Sequence, residues 1–195
     1  MRSESPALLP ILRSRHQGDL LASLLLHPTR RYSLTELAKQ LNAPLTTVQR
    51  EVERLLSADL IAEQRVGRSR LIRANTSSPY SAPLTQIIMR AFGPQLVVKE
   101  EFSLLPKLQA LAIYGSWAGR YRGNAGPPPN DIDVLVIGAP PRVALYEAAD
   151  RVEQRLDLPV NPTTRTPHAW DEATDALTRQ LKTDDLLWLV RPEET

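Results

Sequence analysis

Apolar positions recur at helical spacing through the first part of the chain. Residues 18–27 are an almost continuous apolar run that ends before a proline, which predicts a helix. Ser33 and Glu36 have the spacing of a capping box, so a second helix is expected to begin there. After a tight turn at 42–43, apolar residues at core spacing predict a third helix over about residues 44–58.

The second and third predicted helices, joined by a short turn, have the arrangement of a DNA-binding helix–turn–helix. In that motif the second helix enters the major groove, and its N-terminal residues contact the bases. We therefore expect base contacts near the beginning of the third helix and phosphate contacts further along it. The expected base-contacting residues are Thr46, Thr47 and Gln49, and the expected phosphate-contacting residues are Arg50 and Arg54.

A basic hairpin follows the third predicted helix. Two short strands flank Gly67, and the arginines on them suit phosphates or the minor groove. The residues expected to bind DNA there are Arg65, Arg68 and Arg70, with Arg73 beside them. The hairpin completes a winged helix-turn-helix. The alternative is a winged helix that contacts protein or RNA, or that serves as a dimer scaffold.

Two short phrases carry a family resemblance for this part of the chain. They are Leu-Thr-Glu-Leu-Ala at 34–38 and Thr-Val-Gln-Arg-Glu-Val-Glu-Arg-Leu at 47–55. With them, residues 17–75 resemble the ArsR/MarR-like winged helix of bacterial regulators. The resemblance implies a regulator that binds double-stranded DNA, commonly as a homodimer on two half-sites. The chain has no cysteine, so the metal-sensing cysteines of many ArsR proteins are absent.

Charge is divided unevenly along the chain. Residues 1–75 contain 12 Lys and Arg against 7 Asp and Glu, whereas the remainder contains 12 against 15. A basic N-terminal part beside an acidic C-terminal part predicts a polyanion-binding module joined to a second, different part.

The second part contains a pattern that suits a metal–nucleotide site. One apolar run ends at Gly115 and Ser116, and another begins with Asp131 and Asp133. Residues two apart on a strand share a face, so the two carboxylates are expected to project together. That arrangement is costly unless a cation lies between them. The expected cation is Mg²⁺, whose usual companion is a nucleotide phosphate.

Residues 105–190 resemble the nucleotidyltransferase superfamily related to DNA polymerase beta, especially its minimal bacterial members. The resemblance implies that the Gly115–Ser116 turn cradles the triphosphate of a nucleoside triphosphate. It also implies that Asp131 and Asp133 are the catalytic carboxylates, which hold Mg²⁺. Arg120 is expected to pair with phosphate oxygens.

One residue departs from the pattern of that superfamily. Active members usually carry a third carboxylate on the next strand, which is predicted here at 158–164, and Asn161 stands at that position. An amide oxygen can ligate a metal, but it brings no charge and cannot act as a base. Three interpretations stay open: an active transferase, a nucleotide or metal site without catalysis, and an inert relic.

Other site classes are not expected. The chain has no cysteine, and His16, His27 and His168 lack ligand spacing, so no zinc site is expected. No apolar run approaches the ~20 residues of a membrane span. The N-terminal residues also lack the continuous apolar core of a signal peptide. We therefore expect a cytoplasmic protein with no membrane partner.

The predicted fold class is α+β, with an N-terminal winged helix-turn-helix joined by helices to a small mixed α/β nucleotidyltransferase-like domain. The linker helices are expected to form a dimerisation element or to dock against the C-terminal core. The predicted boundaries are an N-terminal extension at 1–16, the winged helix at 17–75, the helical linker at 76–105 and the nucleotidyltransferase-like domain at 106–195.

Two further helices are predicted within the C-terminal domain, at 142–156 and at 167–181. The second begins with a threonine cap followed by a proline, which is a favoured helix start. Trp170 and Trp188 are expected to be core or interface aromatics.

Two functions fit these patterns. The first is a bacterial DNA-binding transcriptional regulator whose C-terminal domain senses a nucleotide or is inactive. The alternative is a Mg²⁺-dependent nucleotidyltransferase that modifies a protein, an RNA or a small molecule and uses the winged helix for targeting. The superfamily includes antitoxins that nucleotidylate a toxin, so a partner toxin belongs to this alternative.

Overall fold

The computed structural model describes Leu12 and residues 14–67, 69–124, 126 and 128–192. The chain divides into two compact units, Met1–Gly93 and Pro94–Thr195. None of the described helices combines the length and the apolar composition needed to cross a membrane.

The N-terminal unit is a winged helix. Its three strands form one antiparallel sheet in the order β1-β3-β2. Strands β2 and β3 are the expected hairpin, so the predicted winged helix-turn-helix is confirmed. The elements of the unit are α1 (Arg15–Leu25), β1 (Tyr32–Ser33), α2 (Leu34–Gln40), α3 (Leu45–Ser57), β2 (Ile61–Val66), β3 (Ser69–Ala74) and α4 (Ser81–Phe92).

Local sequence signals explain how the helix–turn–helix forms. The Ser33 side chain accepts from the backbone N–H of Glu36, and the Glu36 carboxylate accepts from the backbone N–H of Ser33 at 2.6 Å. This reciprocal capping box satisfies N–H groups that a helix leaves unpaired at its start. Asn42 adopts a left-handed conformation with φ 46° in the turn, a region that asparagine tolerates.

The C-terminal unit contains a four-stranded mixed sheet in the order β6-β5-β4-β7. Strands β5 and β6 are parallel, while β4 is antiparallel to both β5 and β7. The elements are α5 (Pro94–Phe102), β4 (Leu108–Tyr114), α6 (Gly115–Arg122), β5 (Ile132–Gly138), α7 (Arg142–Leu156), β6 (Val160–Arg165), α8 (Pro167–Asp171), α9 (Ala176–Thr183) and β7 (Leu187–Val190).

Both faces of this sheet are covered. Ala112 and Leu135 are opposite one another on β4 and β5 and pack with Trp170 and Leu181 in one buried cluster. The alternate residues of these strands point to the other side, and α5 and α7 pack together against β4 and β6. A central strand covered on both faces is apolar at nearly every position, as β5 is.

The predicted helical linker at 76–105 is divided between the two units. Helix α4 packs against α1 in the N-terminal unit, and α5 packs against α7 in the C-terminal unit. The ring of Phe92 packs directly on Gly18, where any side chain would overlap it. The two helices are therefore parts of the units themselves.

The prediction of a single helix at 167–181 was wrong, because the structure has two helices there. Helix α8 ends at Asp171, and Asp175 caps α9 by accepting from the backbone N–H of Thr178 at 3.0 Å. Arg165 holds the same carboxylate, with Nε 3.0 Å from Oδ2. These contacts keep Asp175 extended, which interrupts the helix. Trp170 lies in the core, as expected.

Candidate functional site

The register of three strands brings the predicted metal-binding residues together. Asp133 on β5 is opposite Tyr114 on β4 and beside Asn161 on β6. Residues opposite one another on neighbouring strands point to the same face. Asp131 lies two residues before Asp133 and points the same way. Asp131, Asp133 and Asn161 are called the aspartate site below.

The amide of Asn161 lies between the two carboxylates. Its Nδ2 donates to Asp131 Oδ2 at 3.0 Å and to Asp133 Oδ1 at 3.3 Å. The partly positive amide hydrogens therefore offset the repulsion between two like charges. The Tyr114 hydroxyl is 3.1 Å from Thr163 Oγ1, a hydrogen bond that crosses β5 and links β4 to β6 beside the site.

The environment of Asp133 shifts the pKa of its carboxyl upward relative to an exposed aspartate. Burial raises the pKa of this carboxyl above its ordinary value, and the nearby charge of Asp131 raises it further, while the hydrogen bond from Asn161 opposes both effects. A cation bound at the site would oppose this shift, because it stabilises the charged form.

The Gly115–Ser116 turn approaches the same carboxylate. Gly115 follows β4, begins α6 and has φ +68°, a left-handed conformation that favours glycine. A methyl group on its Cα would lie 2.7 Å from Asp133 Oδ2. The backbone of Gly115 can lie this close to Asp133 only because glycine has no side chain.

A cleft of about 470 Å³ opens beside this turn. Gly115, Ser116, Arg120 and Asp131 all line it, so the structure gathers the predicted nucleotide-binding residues around one space. Arg120 Nη1 donates to the carbonyl of Asn124 at 2.9 Å, which fixes the arginine along the loop after α6.

Six other residues that line this cleft were not among the predicted site residues: Gly119, Asn124, Gly126, Pro128, Pro129 and Asn130. A methyl group on Gly119 would lie 3.3 Å from Asn124 Nδ2, so the loop packs closely on the helix. Gly115 and Gly119 are four residues apart and therefore share one face of α6, a spacing visible in the sequence.

The donor atoms of the aspartate site fit Mg²⁺, but the site has a smaller negative charge than a carboxylate triad. Two carboxylates and one amide supply the oxygen ligands that Mg²⁺ prefers, once Asn161 turns its oxygen inward. Within the described part of the chain, no group of three or more His, Cys, Asp or Glu side chains is arranged to hold a metal. The site therefore offers two negative charges where a carboxylate triad offers three.

The second candidate site is the outer face of α3 together with the wing. Thr46, Gln49 and Arg50 are exposed near the beginning of α3, and Thr47 is half-buried. Val48 between them is buried with 2% exposure, so the helix presents one polar and one core face. The four predicted residues therefore follow the outer side of the helix start.

Arg54 and Arg70 form ion pairs within the unit. Arg54 pairs with the buried Glu51 one turn earlier. Arg70 on β3 donates from Nη1 to Glu53 Oε1 at 2.7 Å and from Nε to Glu63 Oε2 at 2.6 Å. Arg70 thus joins the wing to α3, whereas the pair of Arg54 with Glu51 lies within α3. The charges of both arginines are compensated before any phosphate approaches.

The remaining wing arginines are placed differently. Arg65 is exposed and opposite Arg70 in the hairpin, so it shares the face that contacts α3. Arg73 is opposite Ala62 and points to the other face. Arg68, which is predicted to bind DNA, lies outside the described residues.

Comparison with known proteins gives fold likenesses only. No protein-family model matches the chain, and no curated protein matches it. A mutant MarR from E. coli is 20% identical with a TM-score of 0.37, and the match covers 51% of this chain and 71% of that chain. The adhesin competence repressor AdcR from Streptococcus pyogenes is 20% identical with a TM-score of 0.36, covering 46% of this chain and 64% of that chain.

A mutant of the toxin–antitoxin pair MntA–HpeT is also similar. It is 22% identical with a TM-score of 0.36, and the match covers 51% of this chain and 74% of that chain. At these identities and TM-scores the likenesses carry no assignment of function. The winged helix is defined by the elements and the register of this chain.

Gly115→Ala tests the close approach of the turn to Asp133. We expect it to lower the free energy of unfolding of the C-terminal unit by about 2–4 kcal/mol, because it adds both backbone strain and a clash. Gly123→Ala is the matched control, since Gly123 has φ +99° and nothing within 4 Å of the added methyl. It should cost about 1 kcal/mol.

Urea denaturation followed by tryptophan fluorescence measures both variants, because Trp117, Trp170 and Trp188 all belong to the C-terminal unit. Equal losses for the two glycines would show that the carboxylate does not crowd Gly115.

Asp133→Asn tests the raised pKa of that carboxyl. A raised pKa in the folded state stabilises the fold at acid pH, and this contribution is lost as the pH rises through the raised value. Asparagine stays neutral throughout. The stability of the variant relative to the wild type should therefore increase in EDTA as the pH rises above about 4, the ordinary pKa of aspartate. Denaturation curves along this series measure it, and the opposite trend would contradict the raised pKa.

Proposed function

We propose that the protein is a DNA-binding transcriptional regulator whose C-terminal unit binds a magnesium–nucleotide complex without transferring the nucleotide. The observation that supports DNA binding is the exposed polar start of α3 beside a hairpin wing. The observation that supports nucleotide binding without transfer is the Asn161 amide between Asp131 and Asp133.

The geometry of α3 suits the major groove. Residues at the N-terminal end of a recognition helix contact base edges, and Thr46 and Gln49 are exposed there. Arg50, on the same exposed side, suits a phosphate. Because glutamates hold Arg54 and Arg70, we assign the wing contact to Arg65 and Arg68, and a framework role to the paired arginines.

A regulator of this kind acts in the cytoplasm and commonly binds DNA as a dimer. Two copies of the winged helix would then read two half-sites, one helical turn or multiples of it apart. The partners proposed for this protein are therefore double-stranded DNA and a second copy of the chain.

The C-terminal cleft supports nucleotide binding. Gly115, Ser116 and Arg120 line this cleft, and the Gly115 backbone, the Ser116 hydroxyl and the Arg120 guanidinium would receive phosphate oxygens. Asp131, Asp133 and the oxygen of Asn161 would hold Mg²⁺. When bound, the ion would neutralise phosphate charge.

Asn161 limits the chemistry of the aspartate site. Its amide cannot accept a proton from an attacking hydroxyl, and it adds no negative charge to hold a second metal ion. Binding therefore fits this residue set better than transfer. A bound nucleotide regulates DNA binding only where its affinity differs between two states of the protein.

The alternative is a nucleotidyltransferase that modifies a protein, an RNA or a small molecule, with the winged helix as a targeting arm. The retained pair of carboxylates beside the phosphate-type turn favours it. In that case a partner toxin is one of the candidate substrates.

DNA binding is tested with DNA from upstream of the gene and a scrambled duplex across a salt series. A specific complex should be on the order of a thousandfold tighter with the upstream DNA. Gln49→Ala should weaken the free energy of binding to the upstream DNA by about 1–3 kcal/mol, and should not affect binding to the scrambled duplex, because a base contact is removed. Arg50→Ala should weaken binding to both duplexes and reduce the slope of log K against log salt by about 1.

Arg31→Ala is the matched control, since Arg31 is exposed in the same unit but lies outside α3 and the wing. It should leave the specificity unchanged. Equal affinity for both duplexes in the wild type would contradict a sequence-specific regulator.

Nucleotide binding is tested by titrating ATP and the other three nucleoside triphosphates with Mg²⁺ and with EDTA. We expect Mg²⁺-dependent binding without transfer of label from α-labelled nucleotide. Asn161→Asp should tighten Mg²⁺ binding about tenfold, or about 1.4 kcal/mol, by supplying a third charge. Asn124→Asp is the matched control, because it adds the same charge to the cleft at a residue outside the aspartate site.

Three outcomes separate the proposals. Label transfer by the wild type, lost in Asp133→Ala, would establish the transferase. Transfer gained only in Asn161→Asp would show that the missing carboxylate is the defect. No binding of any nucleotide by the wild type would contradict a nucleotide site.

A further inference from the structure

A second cleft lies elsewhere on the C-terminal unit. It has a volume of about 540 Å³ and is formed by the last turn of α6, by α8 and α9, and by β7. It shares no lining residue with the cleft beside Gly115. The residues that matter for its chemistry are Tyr121, Trp170, Lys182, Trp188 and Arg191.

Two tryptophans form one side of this cleft. Trp170 and Trp188 meet edge to face, with their ring centroids 5.9 Å apart and their planes at 85°. Trp170 is largely buried, whereas Trp188 is half-buried on β7, which lies at the edge of the sheet. Part of the Trp188 ring thus faces the cleft, where another planar ring can stack on it.

Cationic side chains stand next to these rings. Lys182 Nζ is 5.6 Å from the centroid of Trp170 and donates to the carbonyl of Asp171 at 2.9 Å. The Asp171 carbonyl takes one of the three N–H donors of the Lys182 ammonium group, so the other two are available to a ligand. Arg191 is exposed at the end of β7 and lines the same space.

A third cation is already compensated. Arg122 Nη1 is 2.8 Å from Asp185 Oδ1, and Arg122 Nη2 donates to the carbonyl of Leu186 at 3.1 Å. This pair fixes the rim between α6 and β7. Among the residues that the structure describes, Asp184 is the one carboxylate that lines the cleft, which Lys182 and Arg191 also line.

We propose that this cleft binds a small anion that carries a planar aromatic ring. The ring packs on Trp188 and Trp170, and the anionic group pairs with Lys182 and Arg191. The volume lies within the range of small-molecule sites, and few charged groups among aromatic side chains are typical of them. A nucleoside monophosphate and an aromatic carboxylate both carry this chemistry. The proposal does not depend on the nucleotide site beside Gly115.

Tryptophan fluorescence is a direct probe, because two of the three tryptophans line the cleft. The full chain is titrated with AMP and with benzoate in EDTA. Adenosine and benzamide are the neutral counterparts of these probes. We expect a saturable change with at least one anion and binding at least about tenfold weaker with its neutral counterpart. The anion that binds distinguishes a phosphate ligand from a carboxylate ligand.

Arg191→Ala and Lys182→Met should each weaken binding of that anion about tenfold, because each removes a charge-assisted hydrogen bond. Arg179→Ala is the matched control, since Arg179 is exposed on α9 but does not line the cleft. Calorimetry of the same variants supplies a second readout that does not depend on the tryptophans.

Several outcomes would overturn the proposal. They are the absence of saturable binding by either anion, equal binding of the neutral counterparts, and binding that survives Lys182→Met combined with Arg191→Ala. Loss of AMP binding in Gly115→Ala with intact binding in Arg191→Ala would place the ligand at the other cleft and also overturn it.

Discussion

The repulsion between two carboxylates at the beginning of β5 is the constraint around which the C-terminal unit is arranged. Asp131 and Asp133 point the same way because strand geometry repeats every two residues. The amide of Asn161, on the parallel neighbour β6, lies between the two carboxylates. Gly115 follows the antiparallel neighbour β4, and its backbone lies close to the carboxylate of Asp133. Strand order and register, rather than any one residue, therefore create the site.

The amide satisfies this constraint in a way that a third carboxylate would not. Asn161 offsets the repulsion with its N–H groups, so the pair can persist without a bound cation. A site with two charges attracts Mg²⁺ less than a site with three, and a nucleotide brings phosphate charges of its own. Under the proposed function, the ion and the nucleotide would therefore bind together more readily than either would bind alone.

Local patterns in the sequence predicted much of the fold and of the site. The capping box at Ser33 and the spacing of Asp131 and Asp133 depend on near neighbours, and the structure shows both. The break before α9 and the ion pairs of Arg70 were not predicted. Asp175 is held by Arg165, and Arg70 by Glu53, 17 residues away. Such contacts arise from tertiary packing, which periodicity does not encode.

The net charge of the N-terminal part does not show which of its arginines are available to a polyanion. Counting side chains treats each arginine alike, yet Glu51, Glu53 and Glu63 compensate two of them. These pairs join α3 to itself and to the wing, which holds the recognition face in one shape. Non-specific attraction to phosphates is therefore reduced, while the polar start of α3 stays exposed. In the proposed regulator, discrimination between DNA sequences would therefore come from base contacts more than from charge.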